Sequence, residues 1–311
     1  MLRSLALTAL TALLLPLTAQ AHEQVTLDEM TAQFGWDFES VQIRSQKITD
    51  GLHVLFGVGG NIGASIGEDG VLLVDDQFPQ VMEKVLAELD RIGGGQVRYA
   101  INTHWHFDHA EGNLDLGKRG VTLVSQVNSR NMMLGDHNIN LVMLNYEQKA
   151  YPKHALPSIT YDRTMQFFFN GERIDLFHGG PAHTTGDTAV IFRGRNVVHM
   201  GDVFNNAGYP FIDADNGGEQ KGMINFCRQV IDQIDRDTVV IPGHGPITNY
   251  QAMVDYVNML TTVRNRLQAL IAAGASFEEA VAAKPTAEFD ERYGDPGMLL
   301  DRAWKSLLRS R

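Results

Sequence analysis

The stretch that decides how this chain is interpreted lies at residues 103–109, which read Thr103-His104-Trp105-His106-Phe107-Asp108-His109. Four of these side chains are of types that bind metal ions, and such side chains are costly to bury without partners. His104 and His106 are two positions apart, so an extended backbone directs both to one side. Asp108 and His109 reach the same place if a helix begins there. The spacing predicts a dinuclear metal site, and the remaining ligands must come from elsewhere in the chain.

Other ligand-type residues stand just after predicted strands. His104 follows the strand predicted at 97–101, and His183, Asp202 and His244 follow those at 173–178, 197–200 and 239–241. Loops at strand ends converge above one edge of a sheet, where α/β folds gather their sites. Neighbouring glycines allow the backbone to approach closely. The pattern therefore predicts that distant segments deliver ligands to one place.

Taken together, these motifs resemble the metallo-β-lactamase superfamily. The resemblance rests on His104-x-His106-x-Asp108-His109, His183 in His-Thr-Thr-Gly-Asp, Asp202 in Met-Gly-Asp and His244 in Pro-Gly-His-Gly. It extends in order and approximate spacing over residues 41–247. It implies an α/β fold in the form of a four-layer αββα sandwich with the metal site at one edge. The helices predicted beyond this range form a C-terminal helical extension.

The resemblance also implies which residues bind which ion. His104, His106 and His183 would bind the first ion, Asp108, His109 and His244 would bind the second, and Asp202 would bridge the two. Three neutral imidazoles suit Zn²⁺, so two Zn²⁺ are expected, with iron and manganese as alternatives. A hydroxide shared by two ions roughly 3.5–4 Å apart is the expected nucleophile. Asp108 has a second expected role, as the catalytic residue that orients this hydroxide.

Polar residues near the ligands either hold the ligands in place or have only a local structural role. They are Asp75, Asp76, His178, Asp187 and His199. Asp75 and Asp76 end the strand predicted at 71–74, where turn capping explains them equally well. Asp187 follows His183 by four residues and is a candidate to hold its imidazole.

Aromatic residues near the ligands are candidates for an apolar wall around a small ligand. They are Phe78, Trp105, Phe107 and the run Tyr209-Pro210-Phe211. Packing in the core is the alternative, and it is favoured for Phe107. Asn205 and Asn206 follow Asp202, whereas some β-lactamases of this superfamily carry a Lys there that anchors the antibiotic's carboxylate. That anchor is missing here.

Sequence patterns divide the chain into four parts. They are an export signal at 1–21, a loosely docked N-terminal arm at 22–40, the metallo-β-lactamase-like domain at 41–248, and a C-terminal helical segment packed on it at 249–311. Both halves of the main domain have strands followed by a helix. This order predicts two sheets packed face to face, with helices outside each.

Residues 1–21 have the pattern of an export signal. Arg3 supplies a positive start, and the apolar run at 5–17 is shorter than the roughly 20 residues needed to span a bilayer. Ala19-Gln20-Ala21 fits the small-x-small cleavage pattern. A periplasmic or secreted location is therefore expected, with the mature chain starting near His22. An N-terminal membrane anchor is the alternative.

Composition limits the partners. The chain has 311 residues and a formal net charge of −11 at pH 7, which argues against nucleic acid or an anionic membrane, because either requires a basic face. The single cysteine, Cys227, excludes an intramolecular disulfide. It lies among apolar residues at helical spacing, which predicts a core position. A small-molecule substrate is the expected partner, and the oligomeric state stays open.

The predicted function is that of an exported dinuclear zinc hydrolase that cleaves an amide, lactone or ester bond. The ligand set is closest to the glyoxalase II and lactonase-like branch. A β-lactamase proper is the first alternative, because export would place it where such an enzyme works. A periplasmic metal-binding protein without turnover is the alternative from another class. The complete bridging set argues against it, since sequestration needs no open hydrolytic geometry.

Overall fold

A computed structural model describes residues 24–309. The predicted export signal at 1–21 and His22 lie outside the described residues. Within the described part, no helix combines the length and apolar character needed to cross a membrane.

Strands and helices alternate along much of the chain. The strands are β1 (Gln24–Val25), β2 (Arg44–Thr49), β3 (Leu52–Phe56), β4 (Ile62–Gly67), β5 (Gly70–Val74), β6 (Val97–Asn102), β7 (Thr122–Gln126), β8 (His137–Asn140), β9 (Asn145–Gln148), β10 (Ile159–Tyr161), β11 (Thr164–Phe169), β12 (Glu172–Phe177), β13 (Ala189–Phe192), β14 (Val197–His199), β15 (Val239–Ile241) and β16 (Thr248–Asn249). The α-helices are α1 (Leu27–Phe34), α2 (Met82–Arg91), α3 (Phe107–Ala110), α4 (Asn113–Leu116), α5 (Val127–Met132), α6 (Gln220–Ile231), α7 (Tyr250–Ala272), α8 (Phe277–Ala282), α9 (Asp290–Tyr293) and α10 (Gly297–Arg309). Short 3₁₀ turns occupy Pro79–Val81, Lys153–Ala155, Gly201–Val203 and Ala214–Asn216.

Two large sheets form the centre of the molecule. The first has seven strands in the order β10-β7-β6-β5-β4-β3-β2, and the second has six in the order β11-β12-β13-β14-β15-β16. Strands β5, β6, β7 and β10 are parallel, as are β14 and β15 in the second sheet. The carboxyl ends of β6, β14 and β15 lead into loops that carry predicted ligands, and the carboxyl end of β5 leads into Asp75.

Apolar side chains join the two sheets face to face. Leu72 and Ile101 of the first sheet pack in one cluster with Ile174, Val190 and Phe192 of the second. Burying one such side chain contributes roughly 1.5–3 kcal/mol. A second cluster lies between the first sheet and α2, and a third lies between the second sheet and helices α6, α7 and α10. The predicted four-layer αββα sandwich is therefore confirmed.

Helix α2 shows why these sequences form the outer layers. Met82, Val85 and Leu89 are buried on one face, at the three- and four-residue spacing that an amphipathic helix requires. Pro79 begins the 3₁₀ turn that precedes it. Gly93 follows the helix with φ +86°, a conformation that glycine adopts without strain. The helix ends there for that reason.

The N-terminal segment packs closely, so the expectation of a loosely docked arm was wrong for its described part. Strand β1 pairs with β9 in parallel, and Thr26 and Glu29 form a capping box at the start of α1. Met30 is fully buried. Trp36 lies 5.6 Å from Phe78, ring centroid to ring centroid. Met30 and Trp36 thus pack against the main domain, a contact that the sequence did not reveal.

The C-terminal helices pack against the second sheet, as the predicted helical segment required. Met253, Leu260 and Val263 of α7 and Leu299 of α10 are fully buried in the same cluster as Val240 of β15. Burial of this face joins the extension to the domain that carries the site.

Candidate metal centre

The structure brings all the predicted ligands together. They form three overlapping groups whose ligand atoms lie within 4.8 Å of one another: His104, His106 and His183; His104, His109 and Asp202; and Asp108, His109 and His244. We call the first the three-histidine group and the last the mixed group. Which ions these residues bind remains a prediction.

The local fold explains how one short stretch supplies ligands to both groups. Strand β6 ends at Asn102, the chain bends at residues 103–105, and His106 has extended backbone with φ −63° and ψ 150°. Helix α3 begins at the next residue, so Asp108 and His109 lie in its first turn. The change from extended to helical backbone turns the second pair of ligands towards the first.

Two glycines allow β14 and β15 to deliver the distant ligands. Gly201 has φ +50°, and a Cβ there would lie 2.6 Å from Thr103 Oγ1. A Cβ on Gly243 would lie 2.6 Å from the carbonyl carbon of Gly201. Both separations are shorter than real Cβ contacts, so a larger residue would push Asp202 and His244 away from the stretch after β6.

The three-histidine group consists of buried imidazoles. His183 Nε2 lies 2.9 Å from His106 Nδ1, and His104 Nε2 is buried with no hydrogen-bond partner among residues 24–309. Burial lowers the pKa of His104 well below its usual value and lowers the pKa of His183 to about 4. Both rings are therefore neutral at pH 7. Neutral imidazole nitrogens that converge on one point, one of them otherwise unpartnered, fit Zn²⁺.

The mixed group carries charge. His244 Nε2 lies 3.1 Å from Asp108 Oδ2 and 3.1 Å from His109 Nε2. Burial acts to lower the pKa of both histidines, but the carboxylates of Asp202 and Asp108 outweigh it. They raise the pKa of His244 to about 10 and the pKa of His109 well above its usual value. Without a metal, these two imidazoles hold protons as the counter-charge to the carboxylates.

Asp202 lies between the two groups. Its Oδ1 is 3.1 Å from His109 Nε2, and its Oδ2 is 3.4 Å from His244 Nε2 and 3.8 Å from His183 Nε2. One carboxylate thus reaches ligand nitrogens of both groups, which is the placement that the predicted bridge requires.

Comparison with known proteins agrees with this site. A sequence model of the metallo-beta-lactamase superfamily matches residues 57–244, from just after β3 to the last predicted ligand. The chain belongs to the metallo-β-lactamase superfamily. Members of this superfamily are generally hydrolases, and this chain has a His/Asp cluster that could hold a metal ion.

Solved structures share the fold of this metallo-β-lactamase superfamily protein. A metallo-beta-lactamase from Pontibacter korlensis is 16% identical, covers 71% of this chain and 99% of its own, and has a TM-score of 0.59. FIM-1 from Pseudomonas aeruginosa in the mono-zinc form is 17% identical, covers 71% of this chain and 96% of its own, and has a TM-score of 0.57. The DIM-1 metallo-beta-lactamase is 15% identical, covers 72% and 99%, and also has a TM-score of 0.57. At these identities the likeness concerns the fold alone.

In this superfamily member, Asp75 supports ligands of both groups. Its Oδ2 lies 2.7 Å from His109 Nδ1 and accepts a 2.8 Å hydrogen bond from the Thr103 hydroxyl, whose oxygen lies 3.0 Å from His104 Nδ1. These contacts occupy Nδ1 of His104 and of His109, so Nε2 of each ring is left to bind a metal. Asp75 has φ +65°, which costs on the order of 1–3 kcal/mol. Of the two explanations offered for Asp75, support of the site is the one that the contacts favour.

Asp213 is a supporting residue that the sequence interpretation missed. Its Oδ2 lies 3.0 Å from His106 Nε2, and 107 positions separate the two residues. The contact leaves His106 Nδ1 to face His183. No spacing or motif pointed to Asp213, although it follows the aromatic run that ends at Phe211. The carbonyl of Phe211 in turn lies 2.9 Å from His183 Nδ1.

The remaining supporting candidates act one step away from the ligands. Asp187 accepts hydrogen bonds from the Thr184 amide at 2.9 Å and from its hydroxyl at 2.8 Å, so it holds a turn and not the His183 ring. His178 Nδ1 lies 2.7 Å from the Asp187 carbonyl, and His199 Nε2 lies 2.9 Å from the Asn61 carbonyl. Asp76 donates its backbone N–H to the His109 carbonyl at 2.9 Å. These contacts position loops.

Some of the aromatic candidates line the pocket beside the ligands, and others are buried in the core. Phe107, Tyr209 and Phe211 line a pocket beside the ligands. Phe78 and Trp105 are fully buried and belong to the core. Phe107 is nearly buried as well, so the core packing favoured for it is compatible with a place at the pocket wall.

Proposed function

We propose that this superfamily hydrolase is an exported dinuclear zinc enzyme that cleaves an amide, lactone or ester bond. The observation that carries the proposal is the place of Asp202, with Oδ1 3.1 Å from His109 Nε2 and Oδ2 3.8 Å from His183 Nε2. A carboxylate shared between two ligand groups has no evident use in a site for one ion. The assignment of all the ligands follows from the two groups that it joins.

The donor atoms suit two Zn²⁺ ions, one in each group. Bound there, the ions would polarise a scissile carbonyl and make a water acidic enough to attack it at neutral pH. The chain's own residues then have separate tasks. The three-histidine group has no carboxylate and would leave the charge of an ion uncompensated, whereas Asp108 in the mixed group and Asp202 between the groups would offset part of that charge.

Asp108 is the residue that we assign to orientation of the attacking water. Burial acts to raise the pKa of this carboxyl, but His109 and His244 outweigh it and lower the pKa. The group is therefore ionised at neutral pH and accepts a hydrogen bond. It also lies at the pocket wall, where a water and a substrate carbonyl would meet.

A β-lactamase activity is the second candidate function. It is favoured by the solved structures with the same fold, which are named metallo-beta-lactamases. Against it, the wall of the pocket carries Asn205, a neutral residue, where a carboxylate anchor would need a cation.

The export component rests on the pattern at residues 1–21. We expect expression of the full chain in a Gram-negative host to yield a periplasmic protein that begins at His22. Mass spectrometry of the periplasmic fraction checks this, and an intact N-terminus in the membrane fraction would favour the anchor.

The main test combines metal content with a substrate panel. Zinc-loaded protein is analysed by mass spectrometry for bound metal and assayed with a chromogenic cephalosporin, a lactone, an aryl ester, an anilide, a thioester and a phosphodiester. We expect two zinc ions per chain, together with lactone, ester or amide hydrolysis that EDTA abolishes and zinc restores.

The other outcomes separate the alternatives. Turnover of the cephalosporin alone identifies a β-lactamase. Two bound zinc ions without turnover of any substrate would favour the metal-binding protein and overturn the hydrolase mechanism. Asp237→Asn, at an exposed position, is the control for a carboxylate lost far from the site.

A further inference from the structure

The pocket beside the ligands is small and mostly apolar. It has a volume of about 280 Å³ and is bordered by His106, Asp108, Asp202 and His244. Most of the remaining wall consists of apolar or aromatic side chains, among them Phe34, Trp36, Ile139, Leu141, Phe211 and Met298. Small-molecule sites usually measure roughly 300–1,000 Å³, so this pocket accommodates only a compact group.

No Lys or Arg lines this pocket in the described part of the chain. Asn205 contributes a neutral amide: its Oδ1 accepts the Ala207 N–H at 2.8 Å, and its Nδ2 lies 3.5 Å from the Tyr209 carbonyl. That amide retains capacity to donate to a neutral acceptor. Away from the metal ligands, a carboxylate placed against this side-chain wall would lose water without gaining a cation, and that desolvation disfavours it.

Aromatic rings stand near both ligand groups. The Phe211 ring lies 5.7 Å from the ring of His183. The Trp36 ring stacks on Phe34 at 5.1 Å and lies 6.5 Å from Phe107, the residue before Asp108. Rigid aromatic side chains bury a large apolar area at little cost in conformational entropy. The wall thus favours a flat or compact apolar group on the substrate.

Part of this wall lies outside the region that the superfamily shares. The family match covers residues 57–244, whereas Phe34 and Trp36 precede it and Met298 follows it. The N-terminal segment and α10 therefore add to the pocket surfaces that the superfamily match does not include. Selectivity that depends on them is a property of this chain.

We propose that the pocket selects an uncharged ester or lactone whose acyl part is a compact apolar or aromatic group. Contact with Trp36 sets the preference for that acyl group. The inference rests on the proposed hydrolase and names its substrate class. In the reaction, the oxygen of water bonds to the acyl carbon and the acyl C–O bond breaks. The departing oxygen takes a proton from that water, and the product is a carboxylic acid with an alcohol from an ester, or a single hydroxy acid from a lactone.

A matched substrate pair tests the charge preference. 4-Nitrophenyl butyrate and 4-nitrophenyl hemisuccinate differ by a terminal methyl or carboxylate on acyl chains of equal length. With zinc-loaded full chain, we expect kcat/KM to be at least about tenfold higher for the butyrate. Equal values, or a preference for the hemisuccinate, would overturn the proposal while leaving the proposed hydrolase intact.

Variants test the role of Trp36. Trp36→Ala should raise KM for the butyrate about tenfold with a smaller change in kcat. It should change 4-nitrophenyl acetate less, because that substrate has little acyl group to contact. Trp36→Phe should restore most of the loss. Phe168→Ala removes an aromatic ring that is 77% exposed and lies outside the pocket, so it serves as the matched control.

A second variant covers the case in which Trp36→Ala unfolds the N-terminal segment. Asn205→Lys places a cation on the pocket wall and should shift the kcat/KM ratio towards the hemisuccinate about tenfold. An unchanged ratio in a folded, zinc-loaded variant would show that wall charge does not set the preference.

Binding separates failure of this inference from failure of the proposed function. The neutral amide N-benzylacetamide should quench tryptophan fluorescence of the parent protein but quench Trp36→Phe much less. If no amide, lactone or ester is hydrolysed, the proposed function fails, yet this signal would still place an apolar neutral ligand against Trp36. Equal quenching in both proteins, or none in either, would overturn the assignment of the pocket.

Discussion

The two ligand groups of this site balance their charge in opposite ways. In the three-histidine group, burial lowers the pKa of His104 and of His183, so nitrogen lone pairs are free before any metal arrives. In the mixed group, carboxylates keep His109 and His244 protonated. A metal can enter the first group directly, whereas it must displace protons from the second. The two groups therefore differ in how readily they bind a metal, because only the mixed group includes a carboxylate.

The groups also differ in what holds them. Asp213 contacts His106 in the three-histidine group, and Asp75 contacts His109 in the mixed group. The loop with Asp213 is attached to the C-terminal helix α10: Arg302 Nη1 lies 2.8 Å from Asp215 Oδ2, and Arg309 donates to the carbonyl of Gly218 at 2.8 Å. These contacts link the C-terminal extension to the three-histidine group through the loop of Asp213.

The largest expected effect comes from removing the residue that joins the groups. Asp202→Ala should lower kcat/KM by about 10³-fold or more, because both ligand groups lose the carboxylate between them. Zinc content should fall from two ions to one per chain. Steady-state kinetics and metal analysis check this, with Asp237→Asn as the control. Undiminished turnover would refute the bridge.

The pH dependence of zinc binding sharpens the comparison. For His109 and His244 the folded pKa lies above the usual value, so lowering the pH favours the proton over the metal. The affinity of the mixed group should rise with pH by about tenfold per unit for each displaced proton. His104 and His183 are already neutral at pH 7, so the three-histidine group should depend less on pH.

Calorimetry on metal-free protein in buffers of different ionisation enthalpy counts the released protons. More protons released with the first zinc than with the second would contradict the assignment.

The raised pKa of His244 also makes the stability of the metal-free fold depend on pH. The stabilisation from the His244 ion pairs is fully present below the usual histidine pKa and is lost as the pH rises through about 10.

Asp213→Asn and Asp75→Asn form a matched pair that weakens one group at a time. Loss of a carboxylate that holds a ligating imidazole typically costs 10–100-fold in metal affinity. Asp213→Asn should lose about that factor at the three-histidine group. Asp75→Asn should lose it mainly at the mixed group, with a smaller effect on His104 through Thr103. Competition with a chromophoric chelator measures both affinities, and identical losses in the two variants would break the comparison.

The smallest expected effect lies at the helix that supports the loop of Asp213. Arg302→Met should destabilise the fold by about 1–3 kcal/mol, because Arg302 is buried and bonded to Asp215. It should weaken zinc binding by the three-histidine group only a few-fold. Urea unfolding and chelator competition test this, with Lys305→Met as the control, since Lys305 pairs with Asp215 from a more exposed position. A larger loss at the mixed group would contradict the assigned route.

Much of the fold and all of the proposed ligands could be predicted from local patterns. The run His104 to His109 lies within one strand end and one helical turn, so its geometry follows from the backbone of a few residues. His183, Asp202 and His244 were identified because each follows a predicted strand. The five strands predicted at 71–74, 97–101, 173–178, 197–200 and 239–241 lie within about one residue of their observed bounds, since the patterns that predict strands are local.

Other features could not be predicted. The contact between Asp213 and His106 joins residues 107 positions apart and has no local spacing to reveal it. Asp187 was a candidate to hold the His183 ring, but its carboxylate accepts hydrogen bonds from Thr184, because the chain turns between the two residues. The packing of Trp36 against Phe78 likewise depends on how distant layers meet.

The sequence by itself determined which atoms were offered for metal binding and which superfamily the chain belongs to, because donor chemistry and residue spacing are written locally. Only the tertiary structure decided which imidazoles are neutral and which hold a proton, which carboxylate supports which ring, and which terminal segments line the pocket. Burial and charge at one point are sums over everything packed around it, and those neighbours come from the whole length of the chain.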